Sequence, residues 1–186
     1  MKNDTKSIIQ AKDIYFPKRS LSDAYLESVE EYCKRMKIIL PNFPAEVLSQ
    51  WFYRHTKLDI NDYAWLDYST ITFFKEEWSS DLILSSGITN NKTVQIDKRN
   101  FEKNIKNPRT EYIEAYFLKY NTWPIAPILL YNPDGNLCSP YGYKYSSPYH
   151  PVDGHHRLGI FLSLFKKSLI NKNKTHFLWI INTDNT

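Results

Sequence analysis

Pro151-Val152-Asp153-Gly154-His155-His156-Arg157-Leu158-Gly159-Ile160-Phe161-Leu162-Ser163-Leu164-Phe165 is the stretch that decides how this chain reads. It opens with a short extended piece and passes through Gly154. It then runs into the apolar helix pattern of Leu158, Ile160, Phe161, Leu162, Leu164 and Phe165, which predicts a helix over 154–168. A strand–glycine turn–helix junction aims backbone N–H groups and the positive end of a helix dipole at one point. Arg157 adds a forked cation suited to phosphate oxygens. Asp153, His155 and His156 add groups that move protons near neutral pH. Gly154, His155, His156 and Arg157 are therefore the candidate phosphate-binding residues, and Asp153, His155 and His156 the candidate catalytic ones. Plainer roles stand beside these. Gly154 can be a turn residue, Asp153 a cap for the helix that follows, and one of the histidines a packed side chain.

Upstream, Ile125 to Tyr131 is a continuous apolar run of strand length. Pro133-Asp134-Gly135-Asn136 follows with turn chemistry. A loop rich in Pro, Tyr and Ser spans 138–149, where Tyr141, Tyr143, Tyr145 and Tyr149 could stack on a base or meet a protein. Asn107-Pro108 starts a helix with Glu111 in its first turn and Tyr112, Ile113, Tyr116, Phe117 and Tyr120 along its apolar face. Trp123-Pro124 stops it. Downstream, His176-Phe177-Leu178-Trp179-Ile180-Ile181 reads as a last strand. The order is helix, strand, turn, strand, helix, strand, an α+β unit over 101–186.

Residues 1–100 read as mostly helical. A polar arm over 1–20 leads to a helix capped by Ser20 or Ser22, with Tyr25, Leu26, Val29, Cys33, Met36 and Leu40 at helical spacing. Pro41 and Pro44 end it. Val47, Leu48, Trp51, Phe52 and His55 make one face of the next helix. Over 63–84 the spacing of Trp65, Leu66, Ile71, Phe73, Phe74, Trp78, Leu82 and Ile83 suits helix better than strand, with Thr70 to Phe74 open to an extended reading. Gly87 and Asn90-Asn91 mark a loop. The whole predicts an α+β protein, a mostly helical N-terminal half packed on a small mixed sheet as one compact unit.

Composition narrows the classes. The 186 residues are 42% hydrophobic and 16% aromatic, enough for a real core. No run approaches the roughly 20 apolar residues of a membrane span. The N-terminus is polar and lacks the apolar segment of a secretory signal. Cys33 and Cys138 are too few for a disulfide framework, so a reducing cytoplasm is the expected home. A net charge of +4, scattered and mostly lysine, argues against a nucleic-acid footprint. Plentiful Lys, Asn and Ile fit an AT-rich bacterial genome and say nothing of function. His150, His155 and His156 lack the spacing of a zinc site, and no structural metal is expected.

The element order, with Asp-Gly-His-His-Arg at the last strand-to-helix junction, resembles the ParB/sulfiredoxin superfamily. The pieces that carry the resemblance are Trp123-Pro124-Ile125-Ala126-Pro127-Ile128-Leu129-Leu130, then Asp134-Gly135, then Val152-Asp153-Gly154-His155-His156-Arg157-Leu158. It covers roughly residues 100–186. The reactive cysteine of sulfiredoxins would fall on His155, and the Gly-Glu-Arg-Arg signature of partition proteins is absent. The form here is most similar to that of ADP-dependent free-serine kinases. That resemblance implies a ParB-like, nucleotide-binding protein with phosphotransferase activity on a small molecule. It implies ADP, ATP or CTP with Mg2+ as cofactor. Asp153 would be base or metal contact, Arg157 and the Gly154 backbone would hold phosphate, and His155 or His156 would assist. A second carboxylate is expected, for which Glu111 is the candidate. The alternative is a non-enzymatic immunity protein or antitoxin that neutralises a partner toxin on a scaffold stripped of its chemistry.

Overall fold

A computed structural model describes residues 12–55 and 60–183 and divides the chain into two units. One comprises residues 1–72, 138–144 and 183–186, the other residues 73–137 and 145–182. Residues 73–100 thus belong to the second unit.

In the first unit, helix α1 spans Val29–Ile39. Its cap is Ser28, whose hydroxyl accepts the Glu31 N–H while the Glu31 carboxylate accepts the Ser28 N–H, a reciprocal capping box. The helix therefore starts later than a Ser20 or Ser22 cap would place it. Leu26 is 65% exposed, and the residues α1 buries are Tyr32 and Met36. Helix α2, Ala45–Val47, widens at once into a π turn over Leu48–Phe52. That turn delivers Trp51 and Phe52 to an aromatic core with Phe43 and Tyr68, the Phe52 and Tyr68 ring centroids 5.2 Å apart. Arg35 ties the preceding arm down through Glu27 and the carbonyls of Ile14 and Phe16. Residues 1–11 of the polar arm lie outside the described residues.

The second unit is built on a four-stranded sheet. Its strands are β1 (Thr72–Ser79), β2 (Ile128–Tyr131), β3 (Tyr149–Asp153) and β4 (Thr175–Asn182), in the order β1-β4-β2-β3. β2 runs antiparallel to β3 and parallel to β4. The Ser80 N–H bonds the Lys174 carbonyl at 2.9 Å, so the end of β1 lies beside the start of β4. The helices are α3 (Ser80–Ser85), α4 (Lys92–Glu102), α5 (Pro108–Tyr120) and α6 (His155–Lys166). The fold is α+β, and the two apolar runs at 125–131 and 176–181 provide neighbouring strands of one sheet. The helix at 108 and the one after Gly154 stand where their sequence signals lie.

Three expectations are corrected. Residues 72–79 are a strand, not part of a helix through 63–84; only Ser80–Ser85 is helical there. β1 is an edge strand whose residues from Phe74 to Glu77 are exposed, so it carries no apolar alternation to read. The second refines the loop marked by Gly87 and Asn90-Asn91: it holds a 3-10 turn over Ile88–Asn90 and ends at Asn91, the N-cap of α4, whose amide oxygen accepts the N–H groups of Thr93 and Val94. The third concerns the loop tyrosines. Tyr145 is buried against His150, and the Tyr149 ring meets Trp78 at 5.0 Å, which leaves Tyr141 and Tyr143 as the exposed pair.

α6 is apolar nearly all round and buried from Arg157 to Leu164, as befits the central helix of a core. Phe161 meets Trp123 and His176, whose ring sits on the buried face of β4 with Leu178 and Ile180. α4 lies close along α6. A Cβ on Gly159 would come within 2.7 Å of the Lys98 amide nitrogen and 2.9 Å of the Asp97 Cβ, so only glycine lets the two backbones approach this far. Asn132 fixes the far end of the sheet. Its side-chain amide reaches the carbonyls of Tyr145 and Ser146, and its oxygen accepts the Leu137 N–H.

Candidate functional site

β3 ends at Asp153, the chain turns at Gly154, and α6 begins at His155. Gly154 holds φ at +102°, and a Cβ there would stand 2.8 Å from the Pro127 Cβ and 3.0 Å from Arg157 Nη2. Both the backbone angle and the crowding require glycine. Gly154 is also the N-cap of α6, and no side chain caps that helix. Asp153 does not cap it, which removes the plainest reading of that residue. Its carboxylate is taken instead by Arg157 Nη2 in a buried ion pair, both side chains 6% exposed. Arg157 Nη1 donates to the Ile125 carbonyl at 3.0 Å. The guanidinium thus joins the end of β3, the first turn of α6 and the chain leading into β2.

The two histidines part company. His155 is partly buried, and burial lowers its pKa, partly offset by the charges of Asp153 and Asp97. His156 leans toward α4, where its Nδ1 lies 3.1 Å from Asp97 Oδ2. Its side chain is 38% exposed and that of Asp97 12%. His150, on β3, is close enough to His155 to feel its charge. Burial pushes His150 down to about 4. Its Nδ1 accepts the Ser146 N–H at 3.2 Å, which puts the ring proton on Nε2.

The structure therefore brings together Asp153, Gly154, His155, His156 and Arg157, with His150 at the margin. The carboxylate it adds is Asp97. Glu111 is exposed in the first turn of α5. The residue that sequence reasoning missed, Asp97, lies on a helix whose only buried residues are Val94 and Phe101. The one signal for it was an acid on the helix that a glycine, Gly159, was about to receive.

Among the described residues, no group of three or more His, Cys, Asp or Glu side chains is placed to hold a metal ion. The two carboxylates of the junction are engaged, one by Arg157 and one by His156. The donor set does not fit a protein-held Mg2+. No helix among the described residues is long and apolar enough to cross a membrane. The chain matches no protein-family model, no curated protein and no solved structure.

Proposed function

We propose that the 153–157 junction binds the phosphate of a nucleotide or phosphate ester. One observation carries this reading. A helix of 12 residues begins at a glycine with no capping side chain, because the acid that stands beside it is held by Arg157. The first-turn N–H groups of His155, His156 and Arg157 then face a position suited to an anion, with the helix dipole behind them. His155 and His156 flank that position. Arg157 serves by shaping the turn, since its two outer nitrogens already hold Asp153 and the Ile125 carbonyl.

The element sequence α5, β2, turn, β3, α6, β4 is the one the ParB/sulfiredoxin resemblance implies, and it supports a nucleotide as the phosphate source. ADP, ATP and CTP are the ligands to try, with any Mg2+ arriving on the nucleotide rather than on these carboxylates. Titration of each nucleotide and of inorganic phosphate, followed by backbone amide NMR, tests the reading. The amides of His155, His156 and Arg157 shift at millimolar ligand, and added salt weakens the effect. If those three amides stay still with every ligand, the junction is only a turn.

A second reading has its own observation. Tyr141 and Tyr143 are 51% and 77% exposed, and aromatic side chains of this kind anchor protein interfaces. A protein partner, such as a toxin held inactive, is captured through this segment in that reading. Loss of partner binding in Tyr143→Ala, with the junction variants neutral, would favour it.

A further inference from the structure

Helix α5 carries a row of three tyrosines that its core packing does not use. The residues it buries are Thr110, Ile113 and Phe117. Tyr112, Tyr116 and Tyr120 follow at four-residue spacing along its flank, Tyr112 and Tyr120 exposed and Tyr116 half-buried. Their rings adjoin in series, with centroids 6.2 Å apart between Tyr112 and Tyr116 and 4.4 Å apart between Tyr116 and Tyr120. Both cations of the helix stand on this row. Arg109 lies one turn before Tyr112, and the Lys119 ammonium is 5.0 Å from the centre of the Tyr120 ring. The acids of the helix, Glu111 and Glu114, are three or four residues from none of the tyrosines, and Glu114 is taken by Lys106 at 2.6 Å. The flank is therefore aromatic and positive. It is also held still. Asn107 and Thr110 cap the start of the helix reciprocally, and at its far end the Asn121 side-chain oxygen accepts the Asn171 N–H at 3.3 Å.

Ring pairs along a helix add little to its stability, so helix formation does not account for three tyrosines outside the core. Tyrosine offers large, rigid contact area at small entropic cost, and its hydroxyl donates to carboxylates and carbonyls. Cations beside such rings fit a surface of opposite charge. We infer that the flank of α5 from Arg109 to Tyr120 is a docking surface for an acidic segment of a partner protein. Apolar side chains of that segment lie on the rings, and its carboxylates meet Arg109, Lys119 and the tyrosine hydroxyls. A nucleic-acid strand is the poorer fit. Bases also stack on tyrosine, but such binding draws on many phosphate contacts, and the cations of this helix are Arg109 and Lys119 alone. The inference needs neither an anion at the junction nor the segment of Tyr141 and Tyr143.

Selection from a random phage-displayed peptide library on the immobilised full chain is the test. The enriched peptides carry net negative charge together with large apolar residues. A fluorescein-labelled synthetic copy of the most enriched peptide is then titrated by fluorescence anisotropy. Tyr112→Ala and Lys119→Glu each weaken it about tenfold or more, and Arg109→Glu/Lys119→Glu abolishes binding. Added salt weakens the wild-type complex. Two controls leave affinity unchanged: Leu118→Ala, an exposed change on the same helix away from the row, and Lys172→Glu, a charge reversal elsewhere on the surface. All these side chains are exposed, so melting temperatures stay near wild type. No enrichment overturns the proposal, as does a neutral or basic consensus. Acidic peptides whose affinity is indifferent to Tyr112→Ala and Lys119→Glu overturn it too. Oligo(dT) binding that Tyr112→Ala abolishes, with no peptide enriched, assigns the flank to nucleic acid instead. A dimer in sedimentation that Tyr112→Ala dissociates assigns it to a second copy of the chain. Either result overturns the acidic-partner reading.

Discussion

Arg157 folds back over the first turn of its own helix to meet Asp153, and its other outer nitrogen holds the Ile125 carbonyl at 3.0 Å. The pair is buried, so its attraction is set against the cost of taking two charges out of water. What it secures is geometry: β3, α6 and the lead into β2 converge on one guanidinium. Removing one partner is therefore worse than removing both. Arg157→Ala leaves the Asp153 carboxylate buried without its cation and costs about 3–5 kcal/mol of unfolding free energy. Asp153→Asn/Arg157→Ala loses distinctly less than the sum of the two single changes Asp153→Asn and Arg157→Ala. Urea unfolding of the four proteins in a double-mutant cycle measures the coupling, and strict additivity would show that the two charges do not depend on each other.

Gly154→Ala and Gly159→Ala are predicted to be costly for different reasons. At Gly154 a side chain must adopt φ +102° and displace Pro127, for about 2–4 kcal/mol in strain and overlap together. Gly159 has ordinary helical angles, so its cost of about 1–3 kcal/mol comes from pushing α4 off α6. The second change should also separate Asp97 from His156. Chemical denaturation gives the energies, and ring 15N shifts of His156 read the separation. An unperturbed His156 in a destabilised Gly159→Ala would mean the helix contact and the ion pair are independent.

The part of this architecture that is legible in the sequence is the part where one element occupies one stretch. Ile128–Tyr131 and the helix after Gly154 have a clean apolar signature because each is buried, and Thr175–Asn182, a central strand, shows one because His176, Leu178, Ile180 and Ile181 are buried along it. The run 63–84 defeats the same method. A strand and a helix share it, and the helical spacing of Trp78, Leu82 and Ile83 joins side chains that belong to both. α4 fails for the opposite reason: it shows the core only Val94 and Phe101, too few to mark a period. The junction residues are contiguous and so were visible as a group. Their pairings were not, since Asp97 reaches His156 through helix packing, and nothing in a local pattern says which acid a buried arginine will choose.

Within the segment from 138 to 149 the tyrosines divide by burial. Tyr145 is 7% exposed, with its ring 4.7 Å from that of His150, and Tyr143 is 77% exposed. Tyr145→Ala should cost about 3 kcal/mol as a large-to-small change in a packed site. Tyr143→Ala should stay within about 0.5 kcal/mol of wild type. Thermal melts of the two variants check this, and equal shifts would place Tyr143 in a packed site as well.

Stability should fall as the solution is acidified from pH 6.5 toward 4, before most carboxylates titrate. His176 is buried between the Ser80 and Thr122 hydroxyls, each 3.0 Å from a ring nitrogen, and burial pushes it down to about 4. His150 is likewise pushed down to about 4. An unfolded chain binds protons at both near pH 6.5. Between these values the unfolded state holds more protons than the folded one, so unfolding free energy rises with pH. The stabilisation is complete above about pH 6.5 and is lost as pH drops toward the folded values, with a slope approaching about 1.4 kcal/mol per pH unit for each histidine. Glu27, held low by the Arg35 guanidinium, adds a loss of the same sign at lower pH. His176→Asn keeps groups able to bond the two hydroxyls but does not titrate. It should be less stable at pH 7.5 and show a shallower loss between pH 6.5 and 4 than wild type. Urea midpoints at pH 7.5, 6.0 and 5.0 decide it: the wild-type and His176→Asn curves should converge on acidification, and parallel curves would mean that His176 takes up its proton equally in both states.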